Sequence, residues 1–96
     1  MKIFANLYTK ISTKQLVEQI CLAAWQITEI AENEYQIKGQ SIELVVEGSG
    51  EVLLFGELEI TLAEIDAWVE TLSVLPIHFK IDIHADEARL VRRYQQ

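Results

Sequence analysis

The run IHFKIDIHAD at residues 77–86 sets His78, Asp82 and His84 at even spacing, where metal ligands or an acid–base pair would share one strand face. The distances argue against both. His78 and His84 stand six residues apart, roughly 20 Å along a strand, too far for one ion. Asp82 and His84, about 7 Å apart, would need further ligands from a neighbouring strand. Two solvated histidines are the simpler expectation.

The glutamates are the other candidates. Glu43, Glu47, Glu51, Glu57 and Glu59 fall on one side of the segment IELVVEGSGEVLLFGELEI, and a pair of them could act as acid and base. Catalytic carboxylates sit in pockets that shift their pKa values, and an open sheet offers none. Gly39, Gly48, Gly50 and Gly56 do not open a helix as a phosphate-cradling loop would. Neither a serine nor Cys21 has a nucleophile signature around it. The expectation is a protein that is not an enzyme, with no catalytic residues, cofactor or metal.

The elements that carry these residues follow from their periodicity. Lys2 to Tyr8 alternates Ile3, Ala5 and Leu7 with Lys2, Phe4, Asn6 and Tyr8, as a strand with one buried side does. Ser12 or Thr13 can cap a helix whose stripe is Leu16, Val17, Ile20, Ala23 and Ala24. Beyond it the helical phase could continue through Ile27 and Ala31. Trp25, Ile27, Thr28 and Ile30 favour a strand instead, with a turn at Glu32-Asn33-Glu34 before YQIKG. Thr61 and Glu64 form a capping box ahead of Leu62, Ile65, Trp68, Val69, Leu72 and Leu75, a helix closed by Pro76. Ile77, Phe79, Ile81 and Ile83 alternate as a last strand. The tail at 85–96 is expected as a docked short helix or a frayed end.

Gly48-Ser49-Gly50 reads as a three-residue hairpin loop, pairing Glu47 with Glu51, Val45 with Leu53 and Glu43 with Phe55. One hairpin face is then Ile42, Leu44, Val46, Val52, Leu54, Leu58 and Ile60, with Gly56 as a gap for close approach. The other face sets Val45, Leu53 and Phe55 among the five glutamates, with Glu47 and Glu51 an unfavourable like-charge pair. The elements sum to one α+β domain over 1–96. It is expected to be a ferredoxin-like βαββαβ sandwich, an antiparallel sheet with two helices on one face and room for an extra strand at 25–37. The glutamate face is left open unless the 25–37 segment or the tail folds over it.

An open apolar patch with a charged rim has the anatomy of an interface. The expected partner-binding residues are Glu43, Val45, Glu47, Glu51, Leu53, Phe55, Glu57 and Glu59. The net charge of −7 argues against a nucleic-acid partner, and residues 29–70 hold Lys38 as their one cation amid the acids. That field would steer a cationic protein into contact. No stretch approaches the roughly 20 apolar residues of a membrane span. The opening MKIFANLYTK is too short and polar for a signal-peptide core, and Cys21 stands alone; a cytoplasmic location is expected.

From about Ile11 the layout resembles the small immunity proteins of bacterial toxin–immunity pairs. The resemblance is carried by SIELVVEGSG, then VLLFGELEI, an amphipathic helix and a closing HFKIDIHADEARL. It implies a compact cytoplasmic α/β protein that binds and blocks one cognate toxin, frequently a nuclease, and it assigns no residue roles. The physics agrees, since a nuclease must be cationic to hold phosphates and an acidic face can occupy that groove. Two alternatives stand beside it. One is a phage- or plasmid-type inhibitor that mimics nucleic acid by the same electrostatics. The other is a ferredoxin-like regulatory or ligand-binding module acting as a homodimer, in which Arg89, Arg92 and Arg93 would have to offset the glutamates.

Overall fold

The computed structural model of the protein describes residues 1–86 and 89–96. In chain order these form β1 (Lys2–Tyr8), α1 (Thr13–Ile20), β2 (Gln26–Ala31), β3 (Glu34–Gly39), β4 (Ile42–Ser49), β5 (Glu51–Leu58), α2 (Leu62–Leu72), β6 (His78–His84) and β7 (Leu90–Gln95). All pairings are antiparallel, in one seven-stranded sheet of order β2-β3-β4-β5-β1-β6-β7. β1 therefore lies deep inside the sheet between two strands that follow it much later in the chain.

The alternation in β1 decides which face is covered. Ile3, Ala5 and Leu7 are buried, and they face Gly56, Leu54 and Val52 of β5 on one side and Ile83, Ile81 and Phe79 of β6 on the other. Leu16, Val17 and Ile20 of α1 join the same core, as do Ile65, Trp68, Val69 and Leu72 of α2. Each fully buried Leu or Ile contributes roughly 1.5–3 kcal/mol by area removed from water. Trp68 also donates its indole N–H to the Ile20 carbonyl at 2.8 Å, which ties α2 to the end of α1 and satisfies a carbonyl the helix leaves unpaired.

Both helices begin on reciprocal caps. The Thr61 hydroxyl accepts from the Glu64 amide at 3.1 Å while the Glu64 carboxylate accepts from the Thr61 amide at 3.3 Å, as the sequence predicts. Ser12 plays the same part with Gln15 at the start of α1. Thr13 is buried instead, its hydroxyl donating to the Gly48 carbonyl at 2.6 Å and anchoring α1 to the β4–β5 turn.

Several expectations are corrected. The chain is not a ferredoxin-like βαββαβ sandwich: its sheet has seven strands, with β2 and β3 added beyond β4, and β7 beyond β6. The helical stripe stops at Ile20, so Ala23 and Ala24 lie outside α1 and are exposed. The turn expected at Glu32-Asn33-Glu34 is present, with Asn33 at a φ of 56° that suits asparagine, but the 25–37 segment contributes two strands, β2 and β3, where the sequence leaves room for one. The tail is a strand rather than a helix or a frayed end; Glu87 and Ala88, within it, lie outside the described residues. Tyr94 and Val91 dock against the core from this edge.

The hairpin register is also corrected. Ser49 pairs with Glu51 around Gly50 alone, so Glu47 faces Leu53, Val45 faces Phe55 and Glu43 faces Glu57. Gly48 at φ 109° and Gly50 at φ 78° make this sharp reversal, and the Glu47–Glu51 pairing is lost. Gly56 does serve close approach: a Cβ there would lie 2.1 Å from the Glu43 carbonyl oxygen.

Candidate protein-binding face

The side of the sheet away from the core carries no covering element among the described residues. Phe4 is 54% exposed, Tyr8 45% and Leu53 42%, while Val45 and Phe55 are half-buried between their neighbours. The 25–37 segment and the tail extend the sheet edgewise, so neither folds over this face.

The registers give the face rows that run across the strands. The central row is Gln36, Val45, Phe55, Phe4, Asp82 and Arg93, from β3 to β7. A second row is Glu34, Glu47, Leu53, Asn6, Lys80 and Gln95. A third is Lys38, Glu43, Glu57, Lys2 and His84, and the last joins Glu51, Tyr8 and His78. Seven of the eight residues expected from the sequence thus share one surface. Glu59 lies past the end of β5, where its carboxylate stands 3.6 Å from the Met1 ammonium. Two shallow hollows open among these residues, one of about 490 Å³ at Glu47, Gly48, Glu51 and Leu53, the other of about 360 Å³ at Glu43, Val45, Phe55, Gly56 and Glu57.

Two features lie beyond what sequence reasoning assigned to the site. Phe4 belongs to the apolar centre, supplied by β1 beside β5, and Tyr8 of the same strand adds an exposed ring at the edge of the face beside Glu51 and His78. Their place opposite Ile3 and Leu7 in the alternation was the available signal. The second feature is that the rim changes sign. Across β3, β4 and β5 it carries Glu34, Glu43, Glu47, Glu51 and Glu57 against Lys38; across β1, β6 and β7 it carries Lys2, Lys80 and Arg93 against Asp82. Arg93 donates to Asp82 at 2.7 Å, and that guanidinium holds the Asp82 carboxyl below its usual pKa.

The histidines are placed as their spacing requires, His78 at the start of β6 and His84 at its end. The His84 ring meets Phe4 edge-on at 5.9 Å, and its buried Nδ1 finds no hydrogen-bond partner among the described residues. No group of three His, Cys, Asp or Glu side chains among the described residues converges in a way that could hold a metal ion. A separate hollow of about 460 Å³ lies where β1 ends, lined by Tyr8, Thr9, Lys10, Ile11, Gly50, Pro76 and His78.

No helix among the described residues is long and apolar enough to cross a membrane. No protein-family model, curated protein or solved structure matches the chain. The chemistry of the open face is therefore what speaks to function: an aromatic and aliphatic centre on a rigid sheet, bordered by fixed charge.

Proposed function

We propose that the protein is a binding inhibitor that docks through its open sheet face onto a cationic protein, in the manner of an immunity protein that neutralises a cognate toxin of the nuclease class. The observation that carries this reading is the set of five carboxylates on β3–β5 standing around Leu53, Phe55 and Val45 on an uncovered surface. Apolar burial supplies the affinity, roughly 2–3 kcal/mol for a large side chain fully desolvated. The carboxylates supply approach rate and choice of partner, because they complement lysines and arginines that would otherwise hold phosphates. A site of this kind works by occupying the partner's groove and needs no chemistry of its own. A cytoplasmic location belongs to the same reading, on the ground of the unpaired Cys21.

The test is capture of partner proteins by the tagged protein at about 10 mM and about 1 M salt, where the screening length falls from ~30 to ~3 Å. The expected result is a basic protein retained at low salt, released at high salt, and lost on Glu43→Lys with Glu47→Lys. Retention by that charge-reversed variant would remove the acidic face from the site.

A further inference from the structure

The sign change across the open face makes it complementary to itself. Two sheets stacked face to face can be related by a two-fold axis parallel to the strands or by one across them. An axis across the strands sets each strand over its own copy, placing acid on acid and base on base. An axis along the strands, over the β5–β1 boundary, sets β5 over the partner's β1 and β4 over its β6. It also keeps the rows in step, because positions along the strand are unchanged by that rotation. Phe55 then meets Phe4 of the second copy, and Glu47 meets its Lys80.

We propose that, without a partner, two copies pair through this face in that single orientation, so that the docking surface is held covered until a cationic protein competes for it. The inference rests on the open face being a docking surface, and it adds how that surface is regulated. Size allows it. That axis stacks six strands, β3 to β7 with β1 among them, and leaves β2 outside the contact; at about 4.8 Å spacing and roughly 23 Å of strand length they give about 660 Å² per copy, somewhat under the ~800 Å² each partner contributes to a standard interface. The parallel alignment of strands matches the common packing of stacked sheets, with the outermost strands twisting away from the contact. The apolar centre supplies the attraction, and the charges choose the orientation by making the other one repulsive.

Sedimentation of the free protein over a micromolar concentration series tests the pairing. The wild type should show a monomer–dimer equilibrium. Glu47→Lys alone and Lys80→Glu alone should each weaken self-association at least ~10-fold, since each sets two like charges face to face. An equimolar mixture of the two variants should recover dimerisation to near the wild-type level, because both facing pairs are then opposite in sign. A wild type that stays monomeric throughout would overturn the pairing, and so would a mixture that associates no better than its components. The docking reading has its own readout: Lys80→Glu should still capture the cationic partner at low salt. Capture by a protein that never dimerises would leave the docking reading standing and remove the self-pairing. Dimerisation in a protein that captures no basic partner would do the reverse.

Discussion

Phe4 and Phe55 are cross-strand partners on the open face, yet Phe4 remains 54% exposed while Phe55 is half-buried. The difference follows from their neighbours. Phe55 stands between Phe4 and Val45, whereas Phe4 has Phe55 on one side and the polar Asp82 on the other, with the His84 ring edge-on. One ring thus helps hold the sheet together, and the other has its contact area still to spend.

That difference separates two substitutions. Phe4→Ser should cost about 1 kcal/mol or less, a Tm loss within about 4–8 °C, and weaken docking about tenfold or more. Phe55→Asp should weaken docking comparably but lower Tm further, with the far-ultraviolet spectrum of a folded sheet retained. Titration calorimetry with the captured partner beside thermal melts reads both effects. Outright unfolding of Phe55→Asp would make Phe55 core and take it out of the interface.

The glycines of the hairpin should behave in opposite ways. Gly50 at φ 78° has nothing within 4 Å of a Cβ, so Gly50→Ala should cost only the backbone term, about 1–2 kcal/mol. At Gly56 the added Cβ would sit 2.1 Å from the Glu43 carbonyl oxygen and 2.9 Å from the Leu44 Cα, at φ 152°. Gly56→Ala should therefore cost more than about 3 kcal/mol and separate β4 from β5, as urea denaturation of the two variants would show. Equal midpoints would mean that the β4 backbone yields.

The edge strand β7 is fastened to α2 through Asp66, whose carboxylate accepts from the Tyr94 hydroxyl and from Arg92 at 3.4 Å. These contacts, Tyr94 first, hold the Asp66 pKa below its ordinary 3.8. Burial, reinforced by that carboxylate, pushes the Tyr94 phenol up to about 12. The stabilisation from Asp66 is present above its unfolded pKa and is lost as pH falls through the lower folded value. That from Tyr94 is complete below its unfolded pKa of 10 and is lost as pH rises through about 12. Absorbance titration should show a phenol ionisation near pH 12 that is lost in Tyr94→Phe. Asp66→Asn should flatten the fall of Tm below about pH 4. A slope as steep as the wild type's would detach Asp66 from acid stability.

Cys21, the residue that closes α1, has its thiol pKa raised by burial from 9.0 to about 11. At pH 8 that leaves about 100-fold less thiolate than in an unfolded chain. Alkylation by iodoacetamide should be slower in the native protein by about that factor, and urea should abolish the difference. Equal rates would place the thiol in open solvent.

Alternation made the inward and outward sides of β1, β4, β5 and β6 readable residue by residue, and the Thr61–Glu64 box located α2. What stayed hidden depends on information outside each segment. The hairpin register turned on Gly48 and Gly50 adopting positive φ together, which tightened the reversal and moved Glu47 away from Glu51. β7 shows no period because an edge strand buries little: within Leu90–Gln95 only Val91 and Tyr94 pack against the hydrophobic core, and the register shift by Ile83 and His84 breaks their alternation. The face itself was half visible. Its acidic side lies within one hairpin and could be read directly. Its basic side comes from β1, β6 and β7, and local pattern does not state that β1 borders β5 with β6 and β7 beyond it.

The position of β1 also sets an order of events. β2 through β5 form a meander in which each strand pairs with the next, so it can assemble as fast as short reversals close. β1 is made before all of them and then has neither neighbour: β5 is synthesised roughly 5 s later at about 10 residues per second, and β6 later still. Through that interval an apolar strand with two unsatisfied edges must be kept from other chains. Its insertion between the finished meander and β6 is the long-range closure that joins the two parts of the sheet, and the rate of that step governs when the molecule becomes one cooperative unit.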